Sequence, residues 1–256
     1  MKQEVPRLAR RRKAVAGGLG TNFVSQNSEG NMERHFDQEL QELNKNILKM
    51  GAFVEEAIYK SIEALKNRDN HQAKSVIDND TNIDKLELFI DERCIDLIAR
   101  YQPMAKDLRF IATGMKINAE LERIADIAVD IAQRTLELAD KPLLKPLVDI
   151  PKLTAIAQNM VKMSIDAFVR GDSELAKKVL LSDSEADKLR DVIQKELIED
   201  YMVKDSSTAP RAVQLLLIAR FLERACDHAT NIAEDVIYMV QAEIVKHHPE
   251  KLKSDK

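Results

Sequence analysis

The sequence predicts an all-α protein: six long helices forming two tandem three-helix bundles. Three observations carry that prediction. Charged residues make up 32% of the chain and aromatics 4%, with no Trp; a sheet-rich fold would draw on aromatic and β-branched residues that are scarce here. Apolar residues recur at threes and fours along most of the chain, which is the spacing of one helix face. The pattern is also stated twice. Glu122-Arg123-Ile124-Ala125-Asp126 returns 101 positions later as Glu223-Arg224-Ala225-Cys226-Asp227, and Asp80-x-x-x-Asp84-Lys85-Leu86 returns 103 positions later as Asp183-x-x-x-Asp187-Lys188-Leu189.

Residues 1–31 read as a disordered basic extension. They hold the run Arg10-Arg11-Arg12-Lys13 and four of the seven glycines, without helical periodicity. A secretory signal needs an apolar stretch of about 7–15 residues after its positive charges, and none follows. Met32, just before the helical pattern, could be the initiator.

The first three-helix repeat is expected over 32–140. Leu40, Leu43, Ile47, Met50, Val54, Ala57, Ile58, Ile62 and Leu65 mark its first helix, which ends near Asn67. Asp69 then offers an N-cap, and Ala73, Ile83, Leu86, Ile90, Ile95 and Ile98 stripe a second helix as far as the break at Pro103. Leu108, Ile111, Met115, Leu121, Ile124, Ala128 and Ile131 stripe a third.

Pro142, Pro146 and Pro151 place a linker at 141–151, because three prolines cannot continue a helix. The second repeat follows over 152–246: one helix to Arg170, a turn and cap at Gly171-Asp172, another helix to about Val203, and a last one opened by Pro210. Asp69 corresponds to Asp172 and Ala73 to Ala176, so the duplication extends to caps and breaks. Residues 247–256 read as a polar tail.

Charge and composition exclude several classes. Residues 1–31 contain six basic and two acidic residues, a net of +4; against the chain total of −4, the remainder stands at −8. That is no electrostatic footprint for nucleic acid. No apolar run approaches the roughly 20 residues needed to span a bilayer. Cys94 and Cys226 lack metal-type spacing and read as reduced core thiols of a cytosolic protein.

The repeated acids carry the chemistry. Carboxylates four apart on a helix are neighbours and repel by a few tenths of a kcal/mol, so repeating that spacing in matching places suggests a cation between them. Asp80 and Asp84 beside Glu122 and Asp126 would bring four carboxylates together; Asp183 and Asp187 beside Glu223 and Asp227 would do the same. Asp130 extends the first set, and its counterpart Asn231 leaves the two sets unequal. Glu223, Asp227 and Asn231 are expected as a ridge open to solvent and to a neighbouring helix. An all-oxygen set suits divalent or trivalent metal ions: magnesium, manganese, iron, or zinc with carboxylate ligands. The plainer alternative is two solvated acidic faces, neutralised by Arg123, Arg224, Lys85 and Lys188.

Catalysis finds little support. No His has a Glu three residues before it, as a ferritin-like di-iron centre requires, and no nucleophile–base pair or phosphate-cradling glycine loop is present. His228, beside Asp227, reads as a surface residue. A carboxylate-bridged metalloenzyme acting on phosphoesters is the competing functional reading.

Gln102-Pro103-Met104-Ala105-Lys106-Asp107-Leu108-Arg109-Phe110, leading to Glu120-Leu121-Glu122-Arg123-Ile124-Ala125-Asp126, resembles the PhoU family of phosphate-signalling proteins. Ala219-Arg220-Phe221-Leu222-Glu223-Arg224-Ala225-Cys226-Asp227 and its continuation to Glu234 resemble that family's second acidic motif. The likeness runs from about Met32 to Ala242. It departs at Ala125 and Cys226, where members usually carry Gly. The resemblance implies a cytoplasmic, non-enzymatic helical regulator, often a homodimer, that restrains the phosphate-starvation response. It implies an adaptor between a phosphate-specific ABC transporter and a sensor histidine kinase, reaching the membrane only through those partners, with metal clusters held by the acids named above.

Overall fold

A computed structural model describes residues 22–243, with side chains from residue 34 onward. Six α-helices account for nearly all of them: α1 (Asn22–Asn67), α2 (Asn70–Tyr101), α3 (Ala105–Leu138), α4 (Asp149–Arg170), α5 (Ser173–Glu196) and α6 (Ala209–Gln241). α5 runs on through a π-helical turn, Leu197–Met202. The stretch to Gln38 is a separate unit whose described part is helical from Asn22. Residues 22–31, expected as disordered, are therefore already part of α1. No proline interrupts Asn22–Asn67, and a lone Gly such as Gly30 costs a helix only about 1 kcal/mol. The Arg10–Lys13 run and the tail expected at 247–256 lie outside the described residues.

The unit from Glu39 onward contains the core. Along α1, Leu43, Ile47, Met50, Val54, Ile58, Ile62 and Leu65 are all buried, as the periodicity requires. On α2 the buried stripe is Val76, Ile83, Ile90, Cys94 and Leu97, so Ile95 turns outward at 58% exposure. The expected caps are made. Asp69 accepts from the backbone N–H of His71 and Gln72, and Asp172 accepts from Glu174 and Leu175. Each satisfies amides that the helix cannot. Pro151 sits inside the first turn of α4, because the third residue of a helix has no intrahelical acceptor to lose. The linker thus closes at Val148. Arg68 donates to the carbonyls of Ala139 and Lys141, and Arg211 to that of Pro142, which ties the linker down from both repeats.

The repeats meet through α3 against α6 and α1 against α4. Lys116 pairs with Asp235 at 2.7 Å and Arg134 reaches Gln214 at 3.5 Å, so α3 and α6 run antiparallel. Gly51 faces Ile165, and Gln158 donates to the Glu55 carbonyl, so α1 and α4 do likewise. α2 packs on the flank of α3, and α5 on the flank of α6. The acid-bearing faces lie on those two flanks.

Candidate metal centres

On α2, Asp80, Asp84, Glu87 and Asp91 follow at intervals of four, three and four, and so share one face. That face is registered against α3 by Asn118, which is fully buried and donates to the Glu87 carbonyl at 2.8 Å and to Asp91 Oδ1 at 3.0 Å. Glu122 and Asp126 follow Asn118 at successive turns and come up beside Asp80 and Asp84.

The protonation equilibria record that convergence. Burial pushes the Asp80 carboxyl up to about 6, and the charges of Asp84 and Asp126 add to it. Burial also raises Glu122; Asp126, Glu87 and Asp84 push it further, while Arg123 opposes them. Glu87 is raised by burial and then by Asp91 and Asp84. Arg123 is the nearest counter-charge, 3.5 Å from Glu122 and 3.3 Å from Asp126, but its side chain is 62% exposed and spends its field in water. Asp130 is not among the charges acting on Asp80 or Glu122.

The second ridge has the same acids in a different electrical state. Asp183 is raised by burial, then by Asp187 and Asp227. Glu223, expected on a ridge open to solvent and to a neighbouring helix, is only 5% exposed and faces α5. It tolerates burial because Arg220 Nη1 donates to its Oε1 at 2.8 Å and Arg190 Nη2 approaches the same oxygen at 3.5 Å. Arg190 also holds Asp187 at 3.3 Å and Asp191 at 2.6 Å. It occupies the place that Glu87 holds in the first repeat, 103 residues earlier. Among the described residues, Arg123 alone of the expected counter-charges pairs with the acids; Lys85, Lys188 and Arg224 make no ion pair there.

Glu223 keeps a net upward shift, from burial first and Asp227 second, which Arg220 and Arg190 reduce. Its Oε2 is buried without a hydrogen-bond partner, as is Arg190 Nε. Asp227 is raised by burial, with Arg220 opposing. Cys226, between these acids on α6, is buried, and burial together with the surrounding carboxylates pushes its thiol far up. It is a free thiol in the core, where the sequence places it.

His228 and Asn231 turn away from the ridge. His228 Nδ1 lies 2.7 Å from Glu120 Oε2, and Asn231 donates to the same oxygen at 3.2 Å. His228 thus serves the α3–α6 contact and is not a surface residue. The contact sits two residues before Glu122 and one after Asp227, so the two ridges stand level with each other on opposite flanks.

These donor sets fit a cation unequally. Among the described residues, no three His, Cys, Asp or Glu side chains stand close enough to grip an ion as placed. Carboxylates that repel one another spread apart without a positive charge between them. The first ridge offers only oxygen donors and no buried cation, which suits a hard metal. The second already has two guanidinium groups on its most buried carboxylate, leaving one free oxygen. Glu87 and Asp91 could have been found from the sequence, since they continue the Asp80–Asp84 spacing. Asn118, four residues before Glu122, carries no signal of its own, and Arg190 emerges only when the repeats are aligned.

A PhoU domain model matches the chain twice, over residues 47–135 and 150–236, and each stretch contains one acidic ridge. The PhoU homolog of Aquifex aeolicus is 43% identical over 218 residues, covering 85% of this chain and 98% of that one. The phosphate-specific transport system accessory protein PhoU of Escherichia coli is 34% identical over 221 residues, covering 85% and 91%. The crystal structure of PhoU from Pseudomonas aeruginosa superposes with a TM-score of 0.78 at 35% identity, covering 81% of this chain and all of that one.

Proposed function

This chain belongs to the PhoU family, and from that premise we propose that it regulates phosphate uptake as an accessory protein of a phosphate-specific transport system. Its relatives carry that description in their names, and both halves of the chain match over nearly the full length of those relatives. In this reading the protein is a homodimeric, cytoplasmic, non-enzymatic negative regulator. It links a phosphate-specific ABC transporter to a sensor histidine kinase and reaches the membrane through them. No helix among the described residues is long and apolar enough to cross a membrane.

The metal half of the proposal rests on the first ridge. Asp80, Asp84, Glu122 and Asp126, with Glu87 at their edge, would hold iron, zinc, manganese or magnesium, and the ion would offset the burial and then the repulsion that raise Asp80. In the second ridge, Asp183, Asp187, Glu223 and Asp227 would bind a metal only once Arg190 and Arg220 release Glu223. The resulting order of affinity, first ridge above second, follows from charge alone.

Two measurements test these claims separately. Deleting the gene should switch on phosphate-uptake genes in phosphate-rich medium; unchanged expression would refute the regulatory role. Purified protein supplied with iron, zinc or manganese should retain metal, and Glu122→Ala with Asp126→Ala should lose more of it than Glu223→Ala with Asp227→Ala. Wild-type protein that stays metal-free under every supply would remove the metal claim.

A further inference from the structure

Away from both ridges, the start of α3, the α4–α5 turn and the last turn of α6 enclose a cleft of 430 Å³. Among the described residues its charged lining is Lys106, Arg109 and Arg170, with no carboxylate. That is unusual for a chain with a formal charge of −4. The three cations are poorly compensated. Among the described residues, Lys106 and Arg109 make no ion pair, and Arg170 has only Asp166, 3.8 Å away, with its own side chain 66% exposed.

Arg109 is aimed. Its Nε donates to the Met239 carbonyl at 3.3 Å, in the last turn of α6, which anchors the guanidinium and leaves both Nη groups to other acceptors. The floor is aromatic: Phe110 lies on the buried Phe168 with ring centroids 5.0 Å apart and planes 10° from parallel. Phe110 is half-buried and borders the cleft. The volume is that of a small-molecule site and exceeds what a bare anion needs.

We propose that this cleft binds a small phosphate ester carrying a flat ring, with a nucleotide as the fitting class. The phosphates would meet Lys106, Arg109 and Arg170, and the ring would lie against Phe110. Paired guanidinium groups match phosphate oxygens better than they match a single carboxylate, and an aromatic floor gains most from a planar partner. Neither acidic ridge contributes a residue to this cleft.

Calorimetric titration of the full chain in chelator, with ATP, ADP, AMP, adenosine and inorganic phosphate, tests it. ATP and ADP should bind, and adenosine should not. Lys106→Ala and Arg170→Ala, both at exposed positions, should each weaken ADP by roughly tenfold without changing the melting temperature. Phe110→Leu should weaken ADP and leave inorganic phosphate unaffected. Lys49→Ala with Lys85→Ala, which strips the separate α1–α2 cleft, should leave ADP binding intact. Inorganic phosphate binding as tightly as ADP would overturn the proposal. So would no binding by any nucleotide, or ADP binding lost with the Lys49 and Lys85 pair but kept with Lys106→Ala and Arg170→Ala.

Discussion

Arg190 Nη2 lies 3.5 Å from Glu223 Oε1, at the position where the first repeat carries Glu87. One substitution of sign between the repeats thus separates a ridge with an internal cation from a ridge without one. A buried carboxylate such as Glu223 needs a positive neighbour, and here the protein supplies it.

Arg190→Ala should therefore destabilise the chain by about 1–3 kcal/mol at pH 7, since Arg220 remains as a partial substitute. Saturating manganese should restore more of the melting temperature in this variant than it adds to wild type. Calorimetric melts with and without the metal check both halves, and a variant as stable as wild type would show that Glu223 does not depend on Arg190.

Stability should also depend on pH through the first ridge. The Asp80 carboxyl titrates at about 6 in the folded chain against an ordinary value of 3.8, so the folded state binds its proton more tightly than the unfolded state does. Its contribution is fully present below about pH 4 and is lost as pH rises through 6. Asp80→Asn should make the metal-free protein more stable than wild type at pH 7 and no different near pH 4. Chemical denaturation at a series of pH values measures the gap, which should close as pH falls.

Gly51 sets the α1–α4 distance. A Cβ there would lie 2.4 Å from Ile165 Cδ1, a buried atom at the end of its side chain. Gly51→Ala gains about 1 kcal/mol of helix propensity but crowds that atom, for a net loss of about 1 kcal/mol. Ile165→Val removes the atom concerned. The double variant should be more stable than the sum of the single effects by about 1 kcal/mol or more, as read from a double-mutant cycle in urea.

Asn118 holds α2 in register with α3 through two hydrogen bonds. Asn118→Ala should cost about 1–3 kcal/mol, because the Asp91 carboxylate and the Glu87 carbonyl lose a buried donor. It should also weaken metal retention by the first ridge while sparing the second. Unaltered retention would mean that the ridge does not rely on this register.

Much of the architecture could be read from residue order, because local rules govern it. Asp69 and Asp172 cap their helices as spacing requires, Pro103 precedes α3, Pro210 stands in the first turn of α6, and the α1 stripe is buried from Leu43 to Leu65. The misreadings are equally specific. Periodicity puts Ile95 in the α2 stripe, whereas Cys94 and Leu97 carry that stripe inward. The linker expected at 141–151 ends at Val148, because a helix accepts proline in its first turn. The first depends on which side of a helix meets a neighbour, which periodicity alone leaves open by one position; the second depends on the freedom of a helix's first turn to take proline.

What the chain determined by itself was six helices, their ends, the duplication and the family kinship, all carried by short-range spacing and matching motifs. Tertiary structure decided the electrostatics. Arg190 reaches Glu223 across 33 residues of sequence, Asn118 reaches Asp91 across 27, and Glu120 meets His228 across 108. A charge's effect depends on distance in space and on the water removed around it, and neither quantity is set by separation along the chain.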